Sequence, residues 1–150
     1  MNTLSKDLLK MRENNIGKLF QHAARSYSER ALELLKAKGF SDITLFHTVL
    51  ISNLDAEGAQ ITAIAEKAGI TKQAMGQLVT ELEKKGYVQK TKSAEDSRAY
   101  LIQFTERGKD ALLAAYEVKV IIENEYKELL GVESVDTLRA LLETLIDAGE

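Results

Sequence analysis

Apolar residues along this chain recur mostly at three- and four-residue spacing, the period of helices that bury one face. Over residues 4–38 they fall at Leu4, Leu8, Ile16, Leu19, Phe20, Ala23, Tyr27, Ala31, Leu34 and Leu35. This predicts one long helix, with Asn14, Asn15 and Gly17 placed to kink or interrupt it and Gly39 to end it. Ser41 is a suitable N-cap for a second helix, whose inner face would be Ile43, Phe46, His47, Leu50, Ile51 and Leu54. Residues 55–58 supply the loop that stops it.

The rhythm then shortens. Residues 61–68 read as a brief helix with Ile64, Ala65 and Ala68 inward, and Gly69 offers the backbone freedom of a tight turn. Thr71 can cap the helix that follows, in which Met75, Leu78, Val79 and Leu82 face the core. That leaves Lys72, Gln73, Gly76, Gln77, Thr80 and Lys84 facing out, and Gly86 as the stop. Residues 87–92 and 99–104 are rich in β-favouring side chains around a polar tip, Asp96-Ser97-Arg98. Thr105 caps a long helix with Leu112, Ala115, Ile122, Tyr126 and Leu129 on one side. Gly131 ends it, and Ser134 is placed to cap a last helix bearing Leu138, Leu141, Leu142, Leu145 and Ile146. The expected fold is mainly α with a small β-wing: a winged helix-turn-helix head on a helical scaffold. A short helix presented outward beside a basic β-tip has the shape of a DNA reader.

Composition narrows this further. An apolar fraction of 45% over 150 residues is ample for a core, in one domain or in a reading head plus scaffold. Without cysteine there is no disulfide framework, thiolate metal site or thiol switch. Two histidines, His22 and His47, are too few for a metal centre, and no cofactor is expected. The first residues hold no apolar stretch of signal-peptide length, and the longest apolar run, residues 111–116, is too short to span a bilayer. A cytoplasmic protein with no membrane partner is the expectation. No glycine-rich phosphate loop appears, and no serine motif stands beside a histidine, so an enzyme is not expected.

The net charge of −3 looks unsuited to DNA until its position is considered. Residues 1–38 carry eight Lys/Arg and four Asp/Glu, and residues 71–110 carry eight against six. Residues 111–150 carry three against nine, so the acidity lies away from the head. Apolar faces at both chain ends exceed what one small domain needs, which points to a shared dimer core. Residues 1–38 and 111–150 would form the dimerisation region, and residues 41–110 the DNA-binding region.

The run from TKQAMGQLVTELEKKGYVQK through EDSRAYLIQFTERGKDAL resembles the MarR family of winged helix-turn-helix regulators. The resemblance follows the layout of nearly the whole chain. It is most specific over residues 61–112: an LEKKG helix end, a basic strand, D-x-R, and Phe104-Thr105-Glu106-Arg107-Gly108 where the family has Leu first. It implies a homodimer whose terminal helices intertwine and whose two heads read the halves of a pseudo-palindromic operator. It also implies a pocket between scaffold and head for phenolic or aromatic carboxylate compounds. Two positions depart from the pattern. Gly76 stands where a hydroxyl residue is common and Gln77 where arginine is common, which removes phosphate and guanine contacts.

Gln73 and Gln77, four apart, share one helix face and have the chemistry to bridge N6 and N7 of adenine; the bland alternative is that both are simply solvated. Thr71, Lys72 and Thr80 suit phosphate, and Gly76 either permits close approach of the helix or is a chance glycine. Arg98 at the wing tip suits an A·T-rich minor groove, with Asp96 shaping the tip and Lys90 and Lys92 adding counterion release. An isolated surface ion pair is the alternative for Arg98. His22, Arg25, Tyr27, His47 and Tyr116 are the polar groups available to orient an anionic aromatic effector, although His47 also suits a hydrogen-bonded core position and Tyr27 a dimer core. The expected activity is a dimeric, sequence-specific repressor released by such a ligand. The rival is a winged-helix dimer that serves as a protein-interaction module without specific DNA binding.

Overall fold

The computed structural model describes residues 6–95 and 98–149, apart from the side chain of Glu13. The predicted first helix is two: α1 (Lys6–Asn14) and α2 (Ile16–Ala37). Asn15 explains the break. Its backbone is extended, and its Oδ1 accepts from Lys18 N at 3.0 Å, capping α2. Its Nδ2 donates to the carbonyls of Met11 and Arg12, each at 3.2 Å, closing α1. One amide thus satisfies orphan groups of two helix ends.

The next helix, α3 (Leu45–Asn53), starts later than Ser41 would place it. Its N-cap is Thr44, whose Oγ1 accepts from His47 N at 3.4 Å, while Thr44 N–H donates to His47 Nδ1 at 3.1 Å. A histidine here fills the reciprocal role usually given to Glu or Gln. Phe46 is exposed, against the sequence expectation, because the buried face is His47, Leu50 and Ile51, and Ile43 and Leu54 are buried just outside the helix.

Then α4 (Ile61–Ala68), Gly69 at φ +67°, and α5 (Lys72–Lys84) make the helix-turn-helix. Strands β1 (Val88–Lys92) and β2 (Tyr100–Phe104) pair antiparallel, from Val88 opposite Phe104 to Lys92 opposite Tyr100. Ala59 adds a short third edge through paired hydrogen bonds with Ile102 at 3.0 and 2.8 Å.

Thr105 caps α6 (Glu106–Leu130), accepting from Gly108 N at 3.1 Å as expected. The last helix, α7 (Val132–Asp147), follows after the single residue Gly131, so Ser134 lies inside it and caps nothing. Gly131, at φ +88°, is itself the N-cap of α7 and has no side chain to cap it with.

Two apolar clusters result. One, within the head, is built on Leu50, Ile64, Met75, Leu78, Leu82, Tyr87 and Ile102. The other joins Leu35 of α2 to Ala114, Val118 and Ile122 of α6. The inner stripe of α6 is therefore Ala111, Ala114, Val118 and Ile122. Leu129, placed by periodicity on the inner side, is 78% exposed. Arg30 of α2 also grips Glu125 of α6 at 2.6 Å.

A polar knot joins the segment before α3, the start of the wing and the first turn of α6. Tyr87 donates to Asp42, and the Arg107 guanidinium lies 4.5 Å from the Tyr87 ring centroid and 3.1 Å from Asp42 Oδ2. Burial works to raise the Asp42 carboxyl, but the Tyr87 hydrogen bond and Arg107 outweigh it and hold it below the usual carboxylate range. Burial, and then Asp42, push the Tyr87 hydroxyl up.

Candidate nucleic-acid interface

The surface that could meet DNA is assembled from α5 outward. Met75, Leu78, Val79 and Leu82 are fully buried and seat one side of the helix in the head. Thr71 starts it, accepting from Ala74 N at 3.1 Å. The 3.6-residue period then places Lys72, Gln73, Gln77 and Thr80 in solvent on the opposite side. Gly76 lies among them, and a Cβ built there meets no atom within 4 Å. The Thr80 hydroxyl donates back to the Gly76 carbonyl at 3.0 Å, so its oxygen is what faces outward.

Gln77 is held. Its Nε2 donates to Glu81 Oε1 at 3.2 Å. The other oxygen of the same carboxylate lies 3.0 Å from Nε2 of His47, which is 3% exposed. The hydrogen bond from His47, and next that from Gln77, keep the Glu81 carboxyl below the ordinary carboxylate range. The Gln77–Glu81 pair was open to sequence reasoning through its four-residue spacing. The link to His47, 34 residues earlier, had no local signal.

The wing carries Lys90 and Lys92 exposed on β1 and Arg98 exposed beyond its tip. Lys90 Nζ is 4.0 Å from Glu83 of α5, a loose pairing. Asp96 lies outside the described residues. One exposed helix face and one hairpin thus carry the DNA candidates that the structure describes.

The effector candidates separate. A cavity of about 180 Å3 opens between α2, α3 and α6. Tyr27 and Tyr116 line it; His22, Arg25 and His47 do not. Arg25 is exposed and bonded to Glu29 at 2.9 Å, His22 is exposed on α2, and His47 is occupied by its cap and Glu81. Sequence reasoning missed Ser28, Thr48, Ser52 and Lys119, which supply further polar groups to walls built from Leu35, Ile51 and Leu54. Burial, and then Tyr126 and Glu123, push the Tyr27 hydroxyl up, so it stays a neutral donor. Lys119 Nζ sits 5.1 Å from the Tyr116 ring centroid, a cation at the cavity wall. Among the described residues no group of His, Asp or Glu is gathered to hold a metal ion, and no helix is long and apolar enough to cross a membrane.

Comparison with known proteins places this geometry. Residues 41–99, covering the helix-turn-helix and reaching into the wing, match the MarR family. The HTH-type transcriptional regulator SarZ of Staphylococcus epidermidis is 28% identical over 108 residues, 72% of either chain. Among solved structures, the transcriptional repressor CouR bound to a 23-mer DNA duplex superposes with a TM-score of 0.70 at 22% identity. That match covers 97% of this chain and 99% of CouR. The PcaV transcriptional regulator of Streptomyces coelicolor, in complex with its natural ligand, gives 0.69 at 16% identity and covers all of both chains. At these identities the two structures establish a shared winged-helix fold.

Proposed function

We propose that this chain, whose residues 41–99 match the MarR family and which is 28% identical over 108 residues to a transcriptional regulator, is a homodimeric, sequence-specific DNA-binding repressor of that family. The observation that carries this reading is α5: its apolar side is fully buried while Lys72, Gln73, Gln77 and Thr80 stand together in solvent beside a basic wing. Two such helices enter successive major grooves, roughly 34–36 Å apart, and the wings reach the flanking minor grooves. Residues 41–110 form the reading head in this account. Occupied DNA excludes polymerase by bulk alone.

The dimer is supported by apolar surface. Leu8, Leu9, Met11, Ile16, Leu19 and Phe20 at one chain end are all exposed, as are Leu138, Leu141, Leu145 and Ile146 at the other. A monomer seldom leaves so much contiguous apolar helix in water. Mutual burial of these faces sets the distance between the two heads.

An effector in the cavity between α2, α3 and α6 would favour a dimer with its heads wrongly spaced, which lowers DNA affinity. The cavity, about 180 Å3, suits one ring, since an engineered void of about 150 Å3 accepts benzene. Lys119 is the cation for a carboxylate and Tyr27 a donor. A hydroxybenzoate at a hundred times its Kd stabilises the folded protein by about 2.7 kcal/mol, seen as a rise of several degrees in melting temperature. Lys119→Met abolishes that rise without lowering the ligand-free melting temperature. Equal shifts in both proteins would take Lys119 out of the site.

The DNA reading is tested at the wing. Arg98→Ala weakens duplex binding by about 1–3 kcal/mol and flattens its dependence on salt, with the fold intact. Unchanged affinity and salt slope would remove the wing from the interface.

A further inference from the structure

We propose that His47 and Glu81 lock the side-chain amide of Gln77 in one orientation, and that this lock makes position 77 select adenine over guanine. The proposal rests on the reading of α5 as a major-groove helix and adds a specificity device to it.

The orientation follows from donor and acceptor chemistry. Thr44 N–H points at His47 Nδ1, 3.1 Å away, so Nδ1 is the unprotonated acceptor. In the neutral ring the proton then sits on Nε2, which faces Glu81 Oε2 at 3.0 Å. Glu81 is thereby fixed as a carboxylate, half-exposed, with one oxygen anchored by a side chain that is itself buried. Its second oxygen faces the Gln77 amide at 3.2 Å. A carboxylate oxygen has no proton to give, so only the amide nitrogen can be turned toward it; a flipped amide would set two acceptors against each other.

Gln77 therefore presents a defined pattern to whatever lies before α5. One Nε2 proton is spent on Glu81, while the second proton and Oε1 remain. That pair complements the N7 acceptor and N6–H donor of adenine. Guanine offers N7 and O6, two acceptors, and would meet Oε1 with O6. Cytosine supplies one donor for Oε1 and thymine one acceptor for the remaining Nε2 proton, so each makes a single bond and ranks below adenine. Asparagine and glutamine in solution flip between both patterns. The brace from the buried core removes one of them, and α3 becomes a participant in base choice without touching DNA.

The test is selection of binding sites from random duplexes, with the wild-type protein and Glu81→Gln side by side. Glu81→Gln is isosteric and can either accept from or donate to Gln77, so it frees the amide to flip. The wild type is expected to enrich an inverted repeat with adenine at the base pair under Gln77 in each half-site. Glu81→Gln is expected to lose about fivefold or more of its discrimination against guanine at that pair, within the range one bidentate contact provides, and to keep its preferences elsewhere. Losing a negative charge will strengthen binding to all duplexes alike, so the reading is the ratio between bases at one position.

An unchanged ratio, or a change spread evenly over the site, overturns the lock. Gln77→Glu, an exposed substitution, gives a second reading that does not rely on position 81. It retains an outward acceptor and should keep a donor-bearing base at that pair; a switch to guanine or thymine overturns the proposal. No enrichment by the wild type at all would instead fail the DNA reading on which the proposal rests, and the lock with it.

Discussion

Gly108→Ala is expected to destabilise the winged head by about 3 kcal/mol or more. Gly108 sits in the first turn of α6, where Thr105 Oγ1 accepts its N–H and Thr105 N donates to the Tyr87 carbonyl at 3.0 Å. The same Thr105 hydroxyl donates to the Gly86 carbonyl. These bonds press the start of α6 onto the backbone that leads into β1. A Cβ on residue 108 would stand 2.0 Å from the Tyr87 carbonyl oxygen and 3.0 Å from the Phe104 ring. Backbone cannot swing aside as a side-chain tip can. Relief requires α6 to lift off, exposing Tyr87 and Phe104 and breaking the Thr105 cap.

Ordinary overpacking costs about 1–3 kcal/mol, and a clash with backbone belongs at or above the top of that range. Against a total stability of about 5–15 kcal/mol, that is a large fraction to lose to one methyl group. Gly76→Ala is the control. It adds a methyl group to a helix interior where nothing lies within 4 Å, and should stabilise by about 0.5–1 kcal/mol. Denaturant titration of the two variants reads both effects. A Gly108→Ala protein as stable as wild type would show that α6 is not seated on the wing as described.

The second large effect is expected from removing residues 132–150. Leu138, Leu141, Leu142, Leu145 and Ile146 are 36–62% exposed on α7. Burial of a leucine or isoleucine side chain contributes about 1.5–3 kcal/mol. Losing these partly exposed side chains from each protomer therefore removes several kcal/mol from the dimer. The head should survive, because its cluster from Ile43 to Ala111 draws nothing from α7. Sedimentation should show a folded monomer, and operator affinity should fall by orders of magnitude because one head can no longer recruit the other. A well-folded dimer of the truncated chain would show that the association surface lies elsewhere.

How far the sequence disclosed this molecule differs by position. Thr71 and Thr105 were legible as caps because each stands at a fixed offset before an apolar run, and a cap needs only its own next turn. Asn15 was legible as a break for the same local reason. Ser41 failed because packing set the helix start: Ile43 buries in the head, and His47 then completes a cap on Thr44. Ser134 failed because Gly131 alone separates α6 from α7, so the helix begins before it. Phe46 went wrong because it stands about 100° around the helix from His47, at the edge of the face that His47, Leu50 and Ile51 bury. The outward set Lys72, Gln73, Gln77 and Thr80 followed from helical period and the burial of Met75 and Leu78.

The cavity was the least legible part. Its polar groups come from α2, α3 and α6, and no spacing within one helix reports that Ser28, Thr48 and Lys119 face a common space. His47 looked available for a ligand because an apolar face hides the partner that claims it. Glu81 joins the core to the exposed face of α5 through His47, a partner that nothing in its own helix signals.

Selection from random duplex DNA, with wild type and Arg98→Ala compared at low salt and without effector, tests the central claim most directly. The account predicts that wild type enriches an inverted repeat with half-sites about one helical turn apart, and that Arg98→Ala binds the same repeat at least several-fold more weakly. Failure of the wild-type protein to enrich any sequence would contradict it and favour a winged-helix dimer that engages protein instead.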